Sequence, residues 1–591
     1  MATHRSFDRN AVSLWLEIIS ETRGKVMRMG KVFAISLMAM GLFAACESAS
    51  ANGLLNQYNH IVVIYEENHS FDNLYGLWGN VNGIAVNGLP NADAAHTMQI
   101  RQDNTTPYAC LLQQDVNLTS PSPLPTTCTD HTGASFVSAF ANAPFKIDNF
   151  IAATDTTCPA PNVFAANGVL KGSGLPGGCT RDIVHRYYTE QYQIHKGKQD
   201  RYVTGSDASG LTMGYYDTTL LPIYAYLHGS GAPNYVIADS FFQAAFGGSF
   251  LNHQWFIAAA TPVFAGAPSD GSANDLHSVV DVNGMAANTP LYKDPLGSNA
   301  KDLQLTASCS PPPGRPRTPS EIACGDYAVN TIQPFYQPYS PGTTTAKRLP
   351  PLTNPTIGDR LSAANIDWAW YSGGWDNANG NTTGSGWTNG AGPNCSDPNA
   401  NPAVGFPLCP DFLFQYHHQA LNYFANYAPG TQARANHLLD EVAFIAAAQN
   451  GTLKPVSFVK PLGEENEHPG YSSEPNGSSH LVDLIKDVLN GPNGHDTLII
   501  VTYDEFGGQW DHVPPPPNNP TVISSPHDQW GPGTRVPALL VSKQFKHSGV
   551  DHIGHDTTSI LRTIEDRFNL DPLSSRDMEV NDLETALKAA D

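Results

Sequence analysis

Short runs of β-branched and aromatic residues punctuate this chain, and two of them stop abruptly at acidic clusters. Ile61-Val62-Val63-Ile64-Tyr65 follows His60 and runs into Glu66-Glu67-Asn68-His69-Ser70-Phe71-Asp72. Thr497-Leu498-Ile499-Ile500-Val501-Thr502-Tyr503 runs into Asp504-Glu505-Phe506-Gly507-Gly508. Unbroken apolar runs of this length read as strands buried on both faces. Open α/β sheets place their chemistry beyond the carboxyl ends of such strands. Two strands ending in hard oxygen donors therefore predict one divalent-metal site built from both halves of the chain.

The same rhythm continues between them. Tyr235-Val236-Ile237-Ala238, Pro455-Val456-Ser457-Phe458-Val459 and Pro537-Ala538-Leu539-Leu540-Val541-Ser542 read as further strands. Phe250, Trp255 and Ile257 fall at helical spacing after Gly247-Gly248-Ser249. Leu481, Val482, Leu484, Ile485, Val488 and Leu489 form one apolar helical face that Gly491 stops. Asp556 is expected to cap a final helix with Ile560, Leu561, Ile564 and Phe568 on one side. The alternation predicts an α/β fold with a mostly parallel central sheet flanked by helices. Residues 84–130, 262–360 and 373–410 are rich in Gly, Pro, Asn, Ser and Thr. They read as long irregular insertions in one domain spanning 52–591, because candidate site residues flank them on both sides.

Composition narrows the class. A formal charge of −22 offers no sustained basic face, which argues against a nucleic-acid partner. Residues 1–51 read as an N-terminal extension plus signal peptide. Met27 to Lys31 is a basic segment, Val32 to Ala45 an apolar one, and Ala49-Ser50-Ala51 a small-x-small cleavage site. An alternative is lipoprotein processing at Cys46. The placement suggests that translation starts at Met27 or Met29. The mature chain is then periplasmic or secreted, with no transmembrane span. Eight cysteines remain after Cys46, an even set that suits disulfides in an exported protein. Pairing sequence neighbours gives 110–128, 158–179, 309–324 and 395–409.

The candidate chemistry follows from residue types. Glu67 and Asn68 offer oxygens to a hard cation, although Asn68 or Ser70 equally suits a helix cap. Asp504 and Glu505 are adjacent carboxylates, which repel unless a cation or donors neutralise them; a loop salt bridge is the plainer alternative. Ser249 follows two glycines at the start of a helix, where free N–H groups favour an anion. It is a candidate nucleophile activated by metal coordination, against the simpler role of a helix cap. His131, His417, His418 and His468 are candidates to donate to phosphoryl oxygens or to protonate a leaving group. Asp511-His512, His552 and His555 are weaker candidates, and His555 can serve the last helix alone.

Taken together, HIVVIYEENHSFDNLYG, FGGSFLNHQW, FQYHHQ, NEHPG, VTYDEFGGQWDHVPPP, RVPALLVS and DTTSILRTIEDRFNL resemble, in this order, the bacterial secreted phosphoesterases. That family joins acid phosphatases with non-haemolytic-type phospholipases C on an alkaline-phosphatase-like α/β fold. The resemblance covers roughly residues 58 to 570. The stretches around Asp182 to Tyr188, Gly214 to Asp217 and Phe246 to His253 look like the acid-phosphatase branch. The resemblance implies that Glu67, Asn68, Ser249 and Asp504 bind one metal ion with Glu505 beside them. It also implies that His131, His417, His418 and His468 surround the phosphate. Glu505 departs from the acid-phosphatase pattern, which has aspartate there, and DEFGGQWDHVPPP resembles the phospholipase side as well.

The expectation is an exported, metal-dependent phosphomonoesterase acting through a phosphoserine at position 249. The cation is calcium, magnesium, manganese, zinc or iron, and the substrate a small-molecule or lipid phosphoester. Two alternatives stand beside it: a phospholipase C-type phosphodiesterase, and an exported metal- or ligand-binding protein without turnover.

Overall fold

In the computed structural model the apolar runs become the strands of one sheet. The structure describes residues 53–591 except 102, 104, 112–127, 130–134, 137, 139, 151–179, 181, 207, 266–326, 389–408, 412 and 517–525. The leader at 27–51, Cys46 and His131 lie outside the described residues. So does at least one side chain of each expected cysteine pair. Cys110 and Cys409 are disulfide-bonded.

The eight strands are β1 (His60–Glu66), β2 (Tyr235–Ala238), β3 (Trp368–Ser372), β4 (Leu438–Asp440), β5 (Val456–Lys460), β6 (Thr497–Tyr503), β7 (Ala538–Val541) and β8 (Gly549–Asp551). Their spatial order is 4-3-5-1-6-7-2-8. All neighbours are parallel except β7, which runs antiparallel to both β6 and β2. β1 and β6 lie side by side at the centre, paired from His60↔Thr497 to Glu66↔Tyr503. This register brings the two acidic clusters together, since both strands end at the same edge. Every residue of β1 after His60 and every residue of β6 is buried.

Helices cover both faces, and β3 shows how the faces are assigned. Trp370 meets Phe256 of α1 (Ser249–Ala258), while the next residue, Tyr371, meets Phe444 of α3 (Glu441–Asn450). Successive strand side chains point to opposite faces, so α1 and α3 lie on opposite sides of the sheet. α2 (Ile357–Ala363) and α5 (Thr558–Phe568) pack on α1. α4 (Glu474–Asn490) packs on α3 and on β6. The six apolar residues expected on the α4 face, Leu481 to Leu489, are all buried. Each contributes about 1.5–3 kcal/mol by leaving water.

Several elements differ from expectation. β3 was not expected to be a strand, because Trp368-Ala369-Trp370-Tyr371-Ser372 shows no alternation; it is buried on both faces. α2 starts inside the 262–360 stretch read as irregular and runs past its end, opening with a reciprocal cap between Thr356 and Asp359. Asp556 does accept from the Thr558 N–H and hydroxyl, but the helix it starts is not the last. Ser575–Glu579 and Glu584–Lys588 follow, each too short for a readable apolar period. Residues 58–591 form one compact unit. No helix among the described residues is long and apolar enough to cross a membrane.

Candidate active site

β1 ends in a sharp reversal that exposes Glu67 and Asn68 to the carboxyl edge of the sheet. Asn68 sits at φ +59°, left-handed backbone that non-glycine residues seldom adopt. Its own N–H donates to Asp504 Oδ1 at 3.2 Å, tying the end of β1 to the end of β6. Ser70 caps the following turn by accepting from the Asn73 N–H. On the β6 side, Gly507 has φ +62°, and a Cβ there would stand 2.1 Å from Asn68 O. Only glycine allows the two turns to approach this closely.

Ser249 is delivered by another glycine turn. Gly247 has φ +99°, and a Cβ on it would meet Tyr187 N at 2.6 Å. Ser249 is the first residue of α1, with Gly248 as its N-cap, so the serine itself is not the cap. The turn is held by the buried Glu190. This carboxylate accepts from the Gly247 N–H (2.5 Å), Gln243 Nε2 (2.9 Å), the Thr534 N–H (2.7 Å) and the Thr534 hydroxyl (2.8 Å). Gln243 in turn accepts from the Phe506 N–H at 2.9 Å. One carboxylate and one amide thus link the serine turn to the acidic loop.

The serine hydroxyl reaches the acidic cluster. Ser249 Oγ lies 3.2 Å from Glu67 Oε2, 3.4 Å from Asn68 Oδ1 and 3.4 Å from Glu505 Oε1. A hydroxyl has one proton for these three acceptors. The Asn68 side chain sharpens the problem. Its Oδ1 stands 2.5 Å from Glu67 Oε2, 3.0 Å from Glu505 Oε1 and 3.2 Å from Asp504 Oδ1. Turning the amide over would put its N–H groups there. His468 opposes that turn: its Nδ1 donates to Pro469 O at 2.8 Å, and its Nε2 meets Asn68 Nδ2 at 2.8 Å. Burial pushes the His468 ring well below its ordinary value, so it is neutral and Nε2 accepts. The amide oxygen is thereby aimed at carboxylates. Five oxygens of hard-donor type converge around the serine proton, with the Asn68 and Glu505 N–H groups reaching only Asp504 Oδ1; this donor set suits a hard divalent cation.

Electrostatics agree. Burial raises Glu67, Asp504 and Glu505 above the ordinary carboxylate range, and repulsion from Asp504 adds to it at Glu67 and Glu505. At an effective dielectric of about 20, two like charges 4 Å apart cost about 4 kcal/mol. One fixed cation stands beside them. Lys460, the last residue of β5, places Nζ 2.5 Å from Glu67 Oε1 and also donates to Tyr65 O and Glu66 O. One ammonium cannot balance three carboxylates.

Imidazoles line the rest. His418 Nε2 is 3.1 Å from Glu67 Oε1, and its ring stacks on His253 with centroids 5.0 Å apart. His253 accepts no proton from the neighbouring helix turn; its Nδ1 donates to Ser249 O at 2.8 Å. Glu67, His253 and His418 form a group able to hold a metal ion. His417 touches His418, and burial depresses it to about 3. His185 Nε2 lies 3.3 Å from Glu505 Oε1, and its Nδ1 lies 3.3 Å from Asp182 Oδ1. Its side chain is 17% exposed.

The structure thus brings Glu67, Asn68, Ser249, Asp504, Glu505, His417, His418 and His468 into one cluster. Lys460, His253, His185 and Glu190 join it without having been singled out from sequence. Two had readable signals. A lysine closing the apolar run Val456 to Val459 has no reason to be there unless it is paired, and His253 lies one helical turn after Ser249. Of the weaker candidates, His512 and Asp511 belong to a separate cluster with Asp72 and Arg535. His552 pairs with Asp239, and His555 bonds Asp551 and Thr585.

A sequence profile described as the Phosphoesterase family matches residues 58–571. Phospholipase C B of Mycobacterium tuberculosis is 32% identical over 167 residues, covering 25% of this chain and 32% of that protein. Non-hemolytic phospholipase C of Burkholderia pseudomallei is 32% identical over 139 residues, covering 20% of each. Non-specific phospholipase C6 of Arabidopsis thaliana is 27% identical over 156 residues, 22% of this chain and 29% of its own. The chain thus spans about a third or less of the length of these relatives. A Vibrio parahaemolyticus protein of the alkaline phosphatase superfamily shows 13% identity and a TM-score of 0.21 over 39% of this chain and 50% of its own.

Proposed function

The chain belongs to the Phosphoesterase family, and from that premise we propose that it hydrolyses phosphoric monoesters with Ser249 as nucleophile. The observation that supports this most is the serine hydroxyl within 3.2–3.4 Å of oxygens from Glu67, Asn68 and Glu505. A divalent cation held by Glu67, Asn68, Ser249, Asp504 and Glu505 would supply a Lewis acid and lower the cost of ionising the hydroxyl.

The chain's own groups do the rest. Ser249 Oγ passes its proton to Glu67 Oε2, 3.2 Å away, and attacks phosphorus; the Oγ–P bond forms as the bond from phosphorus to the leaving oxygen breaks in line. Lys460 and the neutral imidazoles of His417 and His418 sit beside the charge that develops on the phosphoryl oxygens. His468 is one of the four histidines that the sequence offers as donors to phosphoryl oxygens or to the leaving group. Both His468 nitrogens are already engaged, so its role in this reading is to aim the Asn68 amide. His185 stands at the edge of the site with its own nitrogens engaged by Ile183 O, Asp182 and Glu505, so water supplies the proton to the departing alkoxide. Water then cleaves the phosphoserine and frees phosphate.

A phospholipase C-type diesterase is the second reading, favoured by the names of the three relatives above. Purified protein assayed on nitrophenyl phosphate and on nitrophenyl phosphorylcholine separates the two. Turnover of the first with little of the second is expected; the reverse establishes the diesterase, and neither rate above background removes both. Acid-quenching with labelled substrate should trap label on Ser249.

A further inference from the structure

We infer that a second divalent-cation site lies on the opposite face of the sheet, formed by Glu441, Glu465 and His480 on the side to which Glu66 turns. Tyr65 and Glu67 face α1, where the Tyr65 ring meets His253 and Phe256. Strand alternation turns Glu66, between them, to the face covered by α3 and α4. Those helices carry Glu441 and His480 respectively.

Three ligand atoms are already gathered there. His480 Nε2 is 2.9 Å from Glu441 Oε1 and 3.7 Å from Glu465 Oε2. One ligand atom from each of the three residues falls within 4.8 Å of the others. Ligand atoms about 2.0–2.2 Å from one ion sit up to about 4.4 Å apart, so small side-chain movements close the set.

Glu66 supplies the independent observation. It is fully buried, and neither carboxylate oxygen has a hydrogen-bond partner among the described residues. An isolated buried carboxylate costs several kcal/mol. Lys460 is the largest of the charges acting on it, followed by His480, Glu441 and Glu465. Three carboxylates thus face one imidazole. The nearby Lys460 is committed to Glu67 and to backbone oxygens on the other side. Three carboxylates with an imidazole suit manganese or zinc.

The cluster of Asp72, Asp511 and His512 has similar composition and supports no such inference. Arg535 already binds both of its carboxylates, with Nε 3.1 Å from Asp511 and Nη2 3.1 Å from Asp72.

The test is metal stoichiometry. Full-length protein is stripped with chelator, titrated with Mn²⁺ or Zn²⁺ alone, desalted and analysed for bound metal. Wild type should retain two equivalents, and Glu465→Gln with His480→Ala should retain one. Asp504→Asn should also retain one, and the combined variant none. Should the double variant fail to fold, Glu465→Gln alone is the substitute, since that side chain is 42% exposed. It should weaken the second equivalent at least tenfold. Equal stoichiometry and affinity in wild type and these variants overturns the inference. One equivalent in wild type that Asp504→Asn keeps and the double variant loses sustains it, while refuting the cation proposed beside Ser249.

Discussion

Two buried clusters of carboxylates lie near the carboxyl end of β1, and they are neutralised in opposite ways. Asp72 and Asp511 receive the Arg535 guanidinium, whose Nε and Nη2 reach both, while Nη1 donates to Asn87 O and Asp239 O. His512 adds a second partner to Asp72, with Nδ1 2.5 Å from Oδ2. These partners hold Asp72 below its ordinary range despite complete burial, while burial still lifts the second carboxylate, Asp511, to about 6. Glu67, Asp504 and Glu505 have one lysine among three, and remain raised. The first cluster is complete with protein atoms and acts as a structural rivet. The second is incomplete without something exchangeable, which is the physical mark of a working site.

The widest break of this comparison is at Ser249. Ser249→Ala should lower turnover by about 10⁴-fold or more and abolish trapped label, with a thermal midpoint near that of wild type. Next is Arg535→Met, which strands two buried carboxylates. It should destabilise the fold by about 3–5 kcal/mol, read as a lowered urea midpoint. Asp504→Asn tests the same logic with the opposite sign. In chelator-stripped protein it removes a repelling charge, so the thermal midpoint should hold or rise while metal retention at this site is lost. A fall as large as that of Arg535→Met would show the two clusters to be alike.

The smallest effect concerns a third way of keeping a buried carboxylate, with its proton. Burial and the neighbouring Asp577 push Glu565 up to about 9. An ordinary glutamate titrates near 4.3. Between those values the folded chain holds a proton that the unfolded chain has released, so stability falls as pH rises through that window. Glu565→Gln should flatten this slope, leaving stability little changed near pH 4 and raised at pH 8.5, by urea unfolding at both.

Much of this was legible because the decisive signals are local. β1, β5, β6 and α4 declare themselves through apolar runs or period, and Glu67, Ser249 and Asp504 sit where those elements stop. The less legible parts depend on pairing. β3 is aromatic on both faces and has no period. The reversal of β7 depends on where its neighbours lie. Lys460, His185 and Glu190 acquire their meaning from residues more than fifty positions away. The partition of Glu66 and Glu67 was open to strand alternation, once the helix covering each face was known.

That partition constrains how the chain can vary. β1 pairs with β6 over seven consecutive residues, and its last side chain and the next one serve opposite sides of the sheet. Inserting or deleting a single residue inside this run would trade the two glutamates, presenting each to the other's partners. The strand can therefore exchange one apolar side chain for another, yet its length is locked.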